Sequence, residues 1–111
     1  MEKIRSRTTR SGRPVMVLLD LIGRRWTLRI TWELREGPMT SRALRVACDN
    51  ASPTVLQTRL RELREAKLVE LRPGEGYALT PLGREFNMSF VPLYAFAERW
   101  AKAVDEATTP G

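Results

Sequence analysis

The stretch that decides the fold is SPTVLQTRLREL, at residues 52–63. Serine is a favoured helix N-cap and proline is tolerated at the first helical position, so Ser52 and Pro53 mark the start of a helix. Apolar side chains then recur on one helical face, at Val55, Leu56, Leu60 and Leu63. We therefore predict an amphipathic helix over residues 52–66 that turns this face towards the core.

A second, shorter helix is predicted directly before it, at residues 40–48. Thr40 or Ser41 can cap its start, and the run Asp49-Asn50-Ala51 interrupts the helical pattern before Ser52. Two helices joined by a tight polar turn are typical of a helix-turn-helix unit.

The flanking segments supply the rest of the domain. Apolar spacing predicts helices at residues 14–22 and at about 25–36, which end at a glycine and at a Gly-Pro pair. Downstream, extended runs at 68–71 and 77–79 enclose the turn residues 73–76, which predicts a β-hairpin.

A closing helix begins at Thr80-Pro81 and carries more apolar residues than a monomer needs. Pro92 interrupts it and should kink or split it. A heptad-like seam recurs at Phe86, Phe90, Leu93, Ala97, Trp100 and Val104. We interpret the seam as a dimer interface, and plain core packing is the alternative.

This order of elements predicts a winged helix-turn-helix, a mainly α fold with a small β-hairpin wing (α+β), over residues 14–106. In that fold the second helix of the pair enters the DNA major groove. Residues 1–13 are expected to form a flexible basic arm, which either follows DNA phosphates or acts as a solubilising tail, and residues 107–111 form a C-terminal tail. The formal net charge of +6 favours a polyanionic partner.

Side chains on the exposed face of the 52–66 helix are of groove-reading types. The candidate base readers are Thr54, Gln57, Thr58 and Arg61. Ser52 with the helix N-terminus, Ser41, Arg42 and Arg59 are candidates for phosphate contacts. The alternative for each arginine is an ordinary surface charge or an ion pair, such as Arg61 with Glu65.

Composition argues against an enzyme, a metal site and a cofactor. The chain contains no histidine, and its single cysteine, Cys48, excludes an internal disulfide. No phosphate-binding glycine loop or metal-ligand spacing is present. No apolar run is long enough to span a membrane or to serve as a signal peptide, so we expect a cytoplasmic protein without a membrane partner.

Four segments resemble the HxlR-type regulators: LIGRRWTL at 21–28, ELREGP at 33–38, SPTVLQTRLREL at 52–63 and YALTPLGR at 77–84. The resemblance covers about residues 14–100. It implies a bacterial or archaeal winged-helix transcription factor, related to the MarR superfamily, that reads a pseudo-palindromic operator as a homodimer.

The resemblance also implies roles for individual residues. Ser52, Pro53, Gln57, Thr58 and Arg59 stand at recognition-helix positions, with Thr54 where an arginine is frequent. The family's dimer is built from N- and C-terminal helices. The interface residues expected here are therefore Val15, Leu18, Phe86, Phe90, Leu93, Tyr94, Ala97, Trp100 and Val104.

Two departures from the family pattern limit these expectations. The hairpin loop is short, so we expect no contact between the wing and DNA beyond Arg72. Some relatives sense oxidants through a cysteine before the first helix, where this chain has Arg13-Pro14. We interpret Cys48 as a small buried residue instead.

The sequence thus predicts a non-catalytic transcriptional regulator that binds double-stranded DNA as a homodimer, in the cytoplasm at the nucleoid. The alternatives are a small-molecule-responsive sensor, a protein-interaction winged helix, or an RNA-binding winged helix. The aromatic residues expected to line an effector pocket, if they are not core, are Trp26, Trp32, Phe90, Tyr94, Phe96 and Trp100.

Overall fold

The computed structural model describes residues 13–108, so most of the predicted arm and the end of the predicted tail lie outside the described residues. Its elements in chain order are α1 (Pro14–Ile22), α2 (Thr27–Glu33), a 3₁₀ turn (Leu34–Glu36), α3 (Ser41–Ala47), α4 (Pro53–Glu65), β1 (Val69–Arg72), β2 (Gly76–Leu79), α5 (Pro81–Ser89) and α6 (Val91–Thr108). The chain is mostly helical with one antiparallel hairpin, which confirms the predicted fold class.

Threonine caps and prolines set the helix starts. The Thr40 hydroxyl accepts a hydrogen bond from the Ala43 N–H at 3.1 Å, and the Thr80 hydroxyl accepts one from the Gly83 N–H at 2.9 Å. Proline occupies the first position of α1, α4 and α5, where its missing N–H breaks no helical hydrogen bond. The observed starts therefore follow the local signals in the sequence.

The core forms around the leucine face of α4. Leu56, Leu60 and Leu63 are buried, as predicted, while Val55 remains partly exposed. These leucines belong to one buried cluster with residues from α1, α2, α3 and the hairpin. The apolar face of α4 thus fixes this helix in the middle of the domain, with α3 packed beside it.

The turn between α3 and α4 is held by side chains on both sides. Asp49 and Asn50 both adopt left-handed backbone conformations, with φ of 54° and 58°, which aspartate and asparagine tolerate better than most residues. Arg45 donates from Nε to the Ala51 carbonyl at 3.2 Å, and Arg29 donates to the Ala47 carbonyl at 2.7 Å. These contacts set the angle between the two helices of the predicted unit.

The hairpin pairs Val69 with Leu79 and Arg72 with Gly76. A third segment joins it, because the Met39 and Tyr77 backbones exchange hydrogen bonds of 2.9 and 2.8 Å. The wing is therefore anchored to the chain that precedes α3.

The second helix is shorter than the sequence predicted. It begins at Thr27 rather than near Arg25, because Trp26 has a left-handed backbone with φ of 77°. It ends at Glu33, where a 3₁₀ turn replaces the last expected turn. The conformation of Trp26 makes the connection from α1 a compact turn.

The closing segment is split into α5 and α6, as Pro92 predicted, with the break at Phe90. Phe86 is only 7% exposed and belongs to the protomer's own core, and Phe90 packs against that core. The expectation that Phe86 contributes an exposed interface surface is therefore wrong. Its position on α5 faces inward because α5 packs against α2 and the hairpin.

Across residues 13–108, no helix combines the length and the apolar character that crossing a lipid bilayer requires.

Gly83 permits the close approach of α5 to the backbone before β1. A Cβ atom at this position would collide with the Leu68 carbonyl oxygen. We predict that Gly83→Ala lowers the free energy of unfolding by about 1–3 kcal/mol. Urea denaturation followed by circular dichroism measures the change. Glu85→Ala, on the exposed side of the same helix, should stay within about 0.5 kcal/mol of the wild type.

Alanine is the better helix former by roughly 1 kcal/mol. A Gly83→Ala protein that is as stable as the wild type, or more stable, would contradict the packing argument.

Candidate DNA-binding interface

The exposed face of α4 is a continuous polar surface on the side of the helix away from its buried leucines. Thr54, Gln57 and Arg61 are all exposed, and Arg64 and Glu65 extend the surface towards the helix end. Arg61 has no hydrogen bond or ion pair with another described residue, so the proposed pair with Glu65 is absent. The Arg61 guanidinium is thus available to an external acceptor.

Gln57 is oriented by the wing. The Tyr77 hydroxyl, on β2, donates to the Gln57 side-chain oxygen at 3.4 Å. This contact leaves the amide N–H groups of Gln57 for another partner. The sequence did not predict the contact, because the two residues lie in different elements.

Thr58 is a weaker reader than the sequence suggested. Its hydroxyl donates to the Thr54 carbonyl, one helical turn earlier, at 2.9 Å. The hydroxyl proton is therefore already used within the helix, and the side chain is partly buried. The Thr58 methyl group can still contact a ligand, but the hydroxyl proton is not free to be donated.

The N-terminal ends of α3 and α4 carry the predicted phosphate-contacting groups. Ser52 is the N-cap of α4 and its side chain makes no capping hydrogen bond, and Pro53 follows it. Both are exposed, as are Ser41 and Arg42 at the start of α3. Unpaired backbone N–H groups at such a helix start favour an anion.

Arg59 takes part in hydrogen bonds within the protomer, which the sequence did not indicate. Its Nε donates to the Arg25 carbonyl at 2.9 Å, and its Nη1 lies 2.9 Å from Glu62 Oε1. The other oxygen of Glu62 lies 2.6 Å from Arg24 Nη1. The two partners of Arg59 occupy its Nε and one donor of its Nη1 and compete with the phosphate contact that the sequence predicted, which stays a prediction. Glu62 and Arg24 received no role in the sequence reasoning, because no local pattern links residues 38 positions apart.

In the wing, Arg72 is paired within its own strand. Its Nε lies 2.8 Å from Glu70 Oε2, and this hydrogen bond raises the pKa of the Arg72 guanidinium. Arg72 stays charged at all working pH values, and its Nη1 and Nη2 donors are not used by Glu70.

The residues predicted for the dimer interface are mostly exposed. Along α6, every side chain from residue 91 to 106 is exposed, including Leu93, Ala97, Trp100 and Val104. On α1, Val15 is 58% exposed and Leu18 lies at its surface. Tyr94 is partly committed within the protomer, because its ring packs on Trp32 with centroids 4.7 Å apart.

An apolar groove of about 330 Å³ lies between α1 and α5. Its lining residues are Pro14, Val17, Leu18, Leu21, Ala66, Leu68, Leu82, Glu85, Phe86 and Ser89. None of the aromatic residues expected to line an effector pocket belongs to it. Trp32 and Tyr94 pack on each other and Trp26 packs against the core, while the predicted aromatic pocket near a dimer cleft stays a prediction.

Cys48 is fully buried at the end of α3. Burial raises the pKa of its thiol, and the nearby Arg29 charge offsets this only in part. A protonated, buried thiol is a poor nucleophile. Among the described residues, no cluster of three or more acidic or cysteine side chains is arranged to hold a metal ion.

Taken together, a helix pair with a polar exposed second helix and an anchored hairpin define a winged helix-turn-helix protein. Residues 21–105 match the family described as HxlR-like helix-turn-helix, and the chain belongs to that family. The protein is a transcriptional regulator of the HxlR/MarR winged-helix type, and the family implies DNA binding.

Similar proteins agree with this placement. The chain is 26% identical to sll1512, an uncharacterised HTH-type transcriptional regulator of Synechocystis, over 78% of this chain and 69% of that protein. Quinone-bound YodB from B. subtilis is 28% identical with a TM-score of 0.72, covering 78% of this chain and 98% of YodB. A MarR-family regulator of Enterococcus faecalis is 27% identical with a TM-score of 0.73, covering 90% and 96% of the two chains.

Proposed function

We propose that this protein is a sequence-specific DNA-binding regulator without catalytic activity, which acts as a homodimer on a pseudo-palindromic operator at the nucleoid. The observation that carries the proposal is the polar face of α4. That face stands opposite the buried leucines, where a major groove about 12 Å wide can receive it.

Each exposed group on α4 has a matching acceptor or donor on DNA. Arg61 fits the O6 and N7 atoms of guanine, and Gln57 fits the N6 and N7 atoms of adenine. Thr54 and the methyl group of Thr58 supply shorter contacts. The Tyr77 hydroxyl contacts the Gln57 side-chain oxygen at 3.4 Å and leaves its amide N–H groups for DNA.

Phosphate contacts flank the reading face. Ser52, Pro53 and the start of α4 face one strand, while Ser41 and Arg42 on α3 supply a second anchor. Arg72 adds one wing contact. The net charge of +6 supports association with a polyanion and predicts binding that weakens as salt increases.

The exposed helix α6 supports the homodimer. Most helical stability in proteins comes from the packing of an apolar face, and the apolar side chains of α6 are exposed in the protomer, so α6 needs a packing partner. Leu93, Ala97, Trp100 and Val104 lie on one stripe of it, within about 60° of helix surface. A second copy offers the same stripe together with the exposed apolar residues of α1, Val15 and Leu18.

Selection from a random duplex pool tests the proposal. Purified protein is incubated with the pool at roughly physiological salt, and the retained DNA is sequenced. We expect an inverted repeat whose half-sites lie about one helical turn apart. Retention without sequence preference would contradict specific operator binding.

Two arginines should then separate base reading from phosphate contact. Arg61→Ala should cost about 1–3 kcal/mol of binding and relax base preference at one position of each half-site. Arg42→Ala should weaken all sequences about equally and lower the salt slope by about one unit. Titrations on consensus and single-substitution duplexes measure both. Equal behaviour of the two variants would contradict the assigned roles.

The dimer prediction depends on Trp100. We expect Trp100→Glu to weaken dimerisation at least about tenfold, because a tryptophan that becomes buried on association is a typical interface hot spot. Sedimentation velocity over a range of protein concentrations measures the effect. Lys102→Glu introduces the same side chain on the opposite side of α6 and should leave dimerisation intact. Dimerisation of Trp100→Glu as strong as that of the wild type would rule out this face.

The groove between α1 and α5 favours a second candidate function, a response to an apolar small molecule. Its floor includes Ala66 and Leu68, which directly follow α4, so a ligand there would contact the end of the recognition helix. YodB, one of the similar proteins, has been crystallised with a bound quinone.

Menadione tests the groove in a Cys48→Ala background, which removes the single thiol. We expect menadione to raise the melting temperature by binding the folded state. Leu82→Gln, at the rim, should weaken binding roughly threefold to tenfold because it removes apolar contact area. Met88→Gln changes an exposed residue of α5 outside the groove and serves as the control. Equal affinities in the two variants would exclude the groove.

A further inference from the structure

Glu62 sits at the centre of a network that ties α4 to the end of α1. One carboxylate oxygen lies 2.6 Å from Arg24 and the other lies 2.9 Å from Arg59. Arg24 also contacts Asp20, on the last turn of α1, at 3.0 Å. Arg59 closes the network by donating to the Arg25 carbonyl at 2.9 Å.

The network is partly shielded from water. The side chains of Glu62, Arg59 and Arg24 are 14%, 21% and 24% exposed. Each arginine donates from two nitrogens of its planar guanidinium to two different partners. This restricts the orientation of the guanidinium as well as its distance from Glu62. Partly buried ion pairs of this kind contribute little to stability, and fixing one arrangement is a role attested for them in other proteins.

The turn that carries the arginines is tied to α1 by backbone hydrogen bonds. The Gly23 and Arg24 N–H groups donate to the Leu19 and Leu21 carbonyls at 3.0 and 3.3 Å. The turn ends at Trp26, whose left-handed backbone is uncommon for a bulky residue and whose ring packs against the core. A displacement of α1 is therefore transmitted to the Arg24 and Arg25 backbone.

At about 100° of rotation per residue, Glu62 lies about 100° from Arg61 and about 140° from Gln57 around α4, and Arg59 lies about 160° from both. The network cannot contact the bases that Gln57 and Arg61 reach. The network therefore acts on the position of α4 relative to α1, and not on the identity of the base that α4 reads.

We propose that Glu62 is a positioning residue that fixes the angle of α4 relative to α1, and thereby the spacing between the two half-sites that the dimer accepts. This inference rests on the proposed homodimer, in which α1 lies at the interface. Half-site spacing is a sharp constraint, because each added base pair moves a half-site by about 3.4 Å and rotates it by about 34°.

The experiment uses the full-length protein and operators built from the half-site that the wild type selects. The spacing between half-sites is varied from two base pairs below the optimum to two above it. For Glu62→Gln we expect a flattened profile, in which the preference for the best spacing over its neighbours falls at least about fivefold. The base preference within each half-site should not change.

The matched control removes one carboxylate charge elsewhere in the domain. Glu36→Gln, in the 3₁₀ turn, serves as that control in place of any residue of the α4 surface, because it removes the same charge at an exposed position away from α4 and should keep the wild-type spacing profile. Thermal melting of each variant separates repositioning from unfolding. If Glu62→Gln does not fold, Arg24→Lys replaces it, because lysine keeps the charge but lacks the fork that joins Asp20 to Glu62.

The outcomes separate the two proposals. If the wild type selects an inverted repeat and the spacing profile of Glu62→Gln matches that of Glu36→Gln, the positioning role is overturned and the proposed function stands. A uniform loss of affinity at every spacing overturns it as well. If the wild type selects no inverted repeat, the proposed function fails and the positioning role fails with it.

Discussion

An α-helix that buries one face must expose the other, and this constraint on α4 governs the rest of the molecule. Burial of Leu56, Leu60 and Leu63 commits Gln57 and Arg61 to solvent. The neighbouring elements are arranged around the same leucines, with α3 beside α4 and the hairpin close to its end. The polar surface is thus a consequence of core packing, and its chemistry can vary while the fold stays the same.

Sequence reasoning succeeded where the signal is local. Caps, prolines and apolar periods lie within a few residues of the structure that they specify, so the hairpin and the starts of α1, α3, α4 and α5 were predicted correctly. It failed at contacts made by distant residues. Nothing near Glu62 indicates that Arg24 lies beside it. Nothing near Phe86 indicates whether its side chain packs in the protomer's own core or at a dimer interface.

Hydrogen bonds within the protomer also limited how far the candidate site could be predicted. Arg59 is of the right type and on the right helix, but its Nε and Nη1 already donate to the Arg25 carbonyl and to Glu62. The Thr58 hydroxyl is bound to the backbone of its own helix. Residue type and helical face therefore select candidates, and competition from internal partners decides which of them can meet a ligand.

The wing is short, and its charge has a consequence for the attraction of DNA. Strands of four residues extend only about 13 Å, and Arg72 at the tip of β1 is held by Glu70. The hairpin, residues 69–79, carries one cationic side chain, Arg72, against two carboxylates, Glu70 and Glu75. It therefore adds no net positive charge of its own, so the attraction of the domain for a polyanion has to come from its other elements.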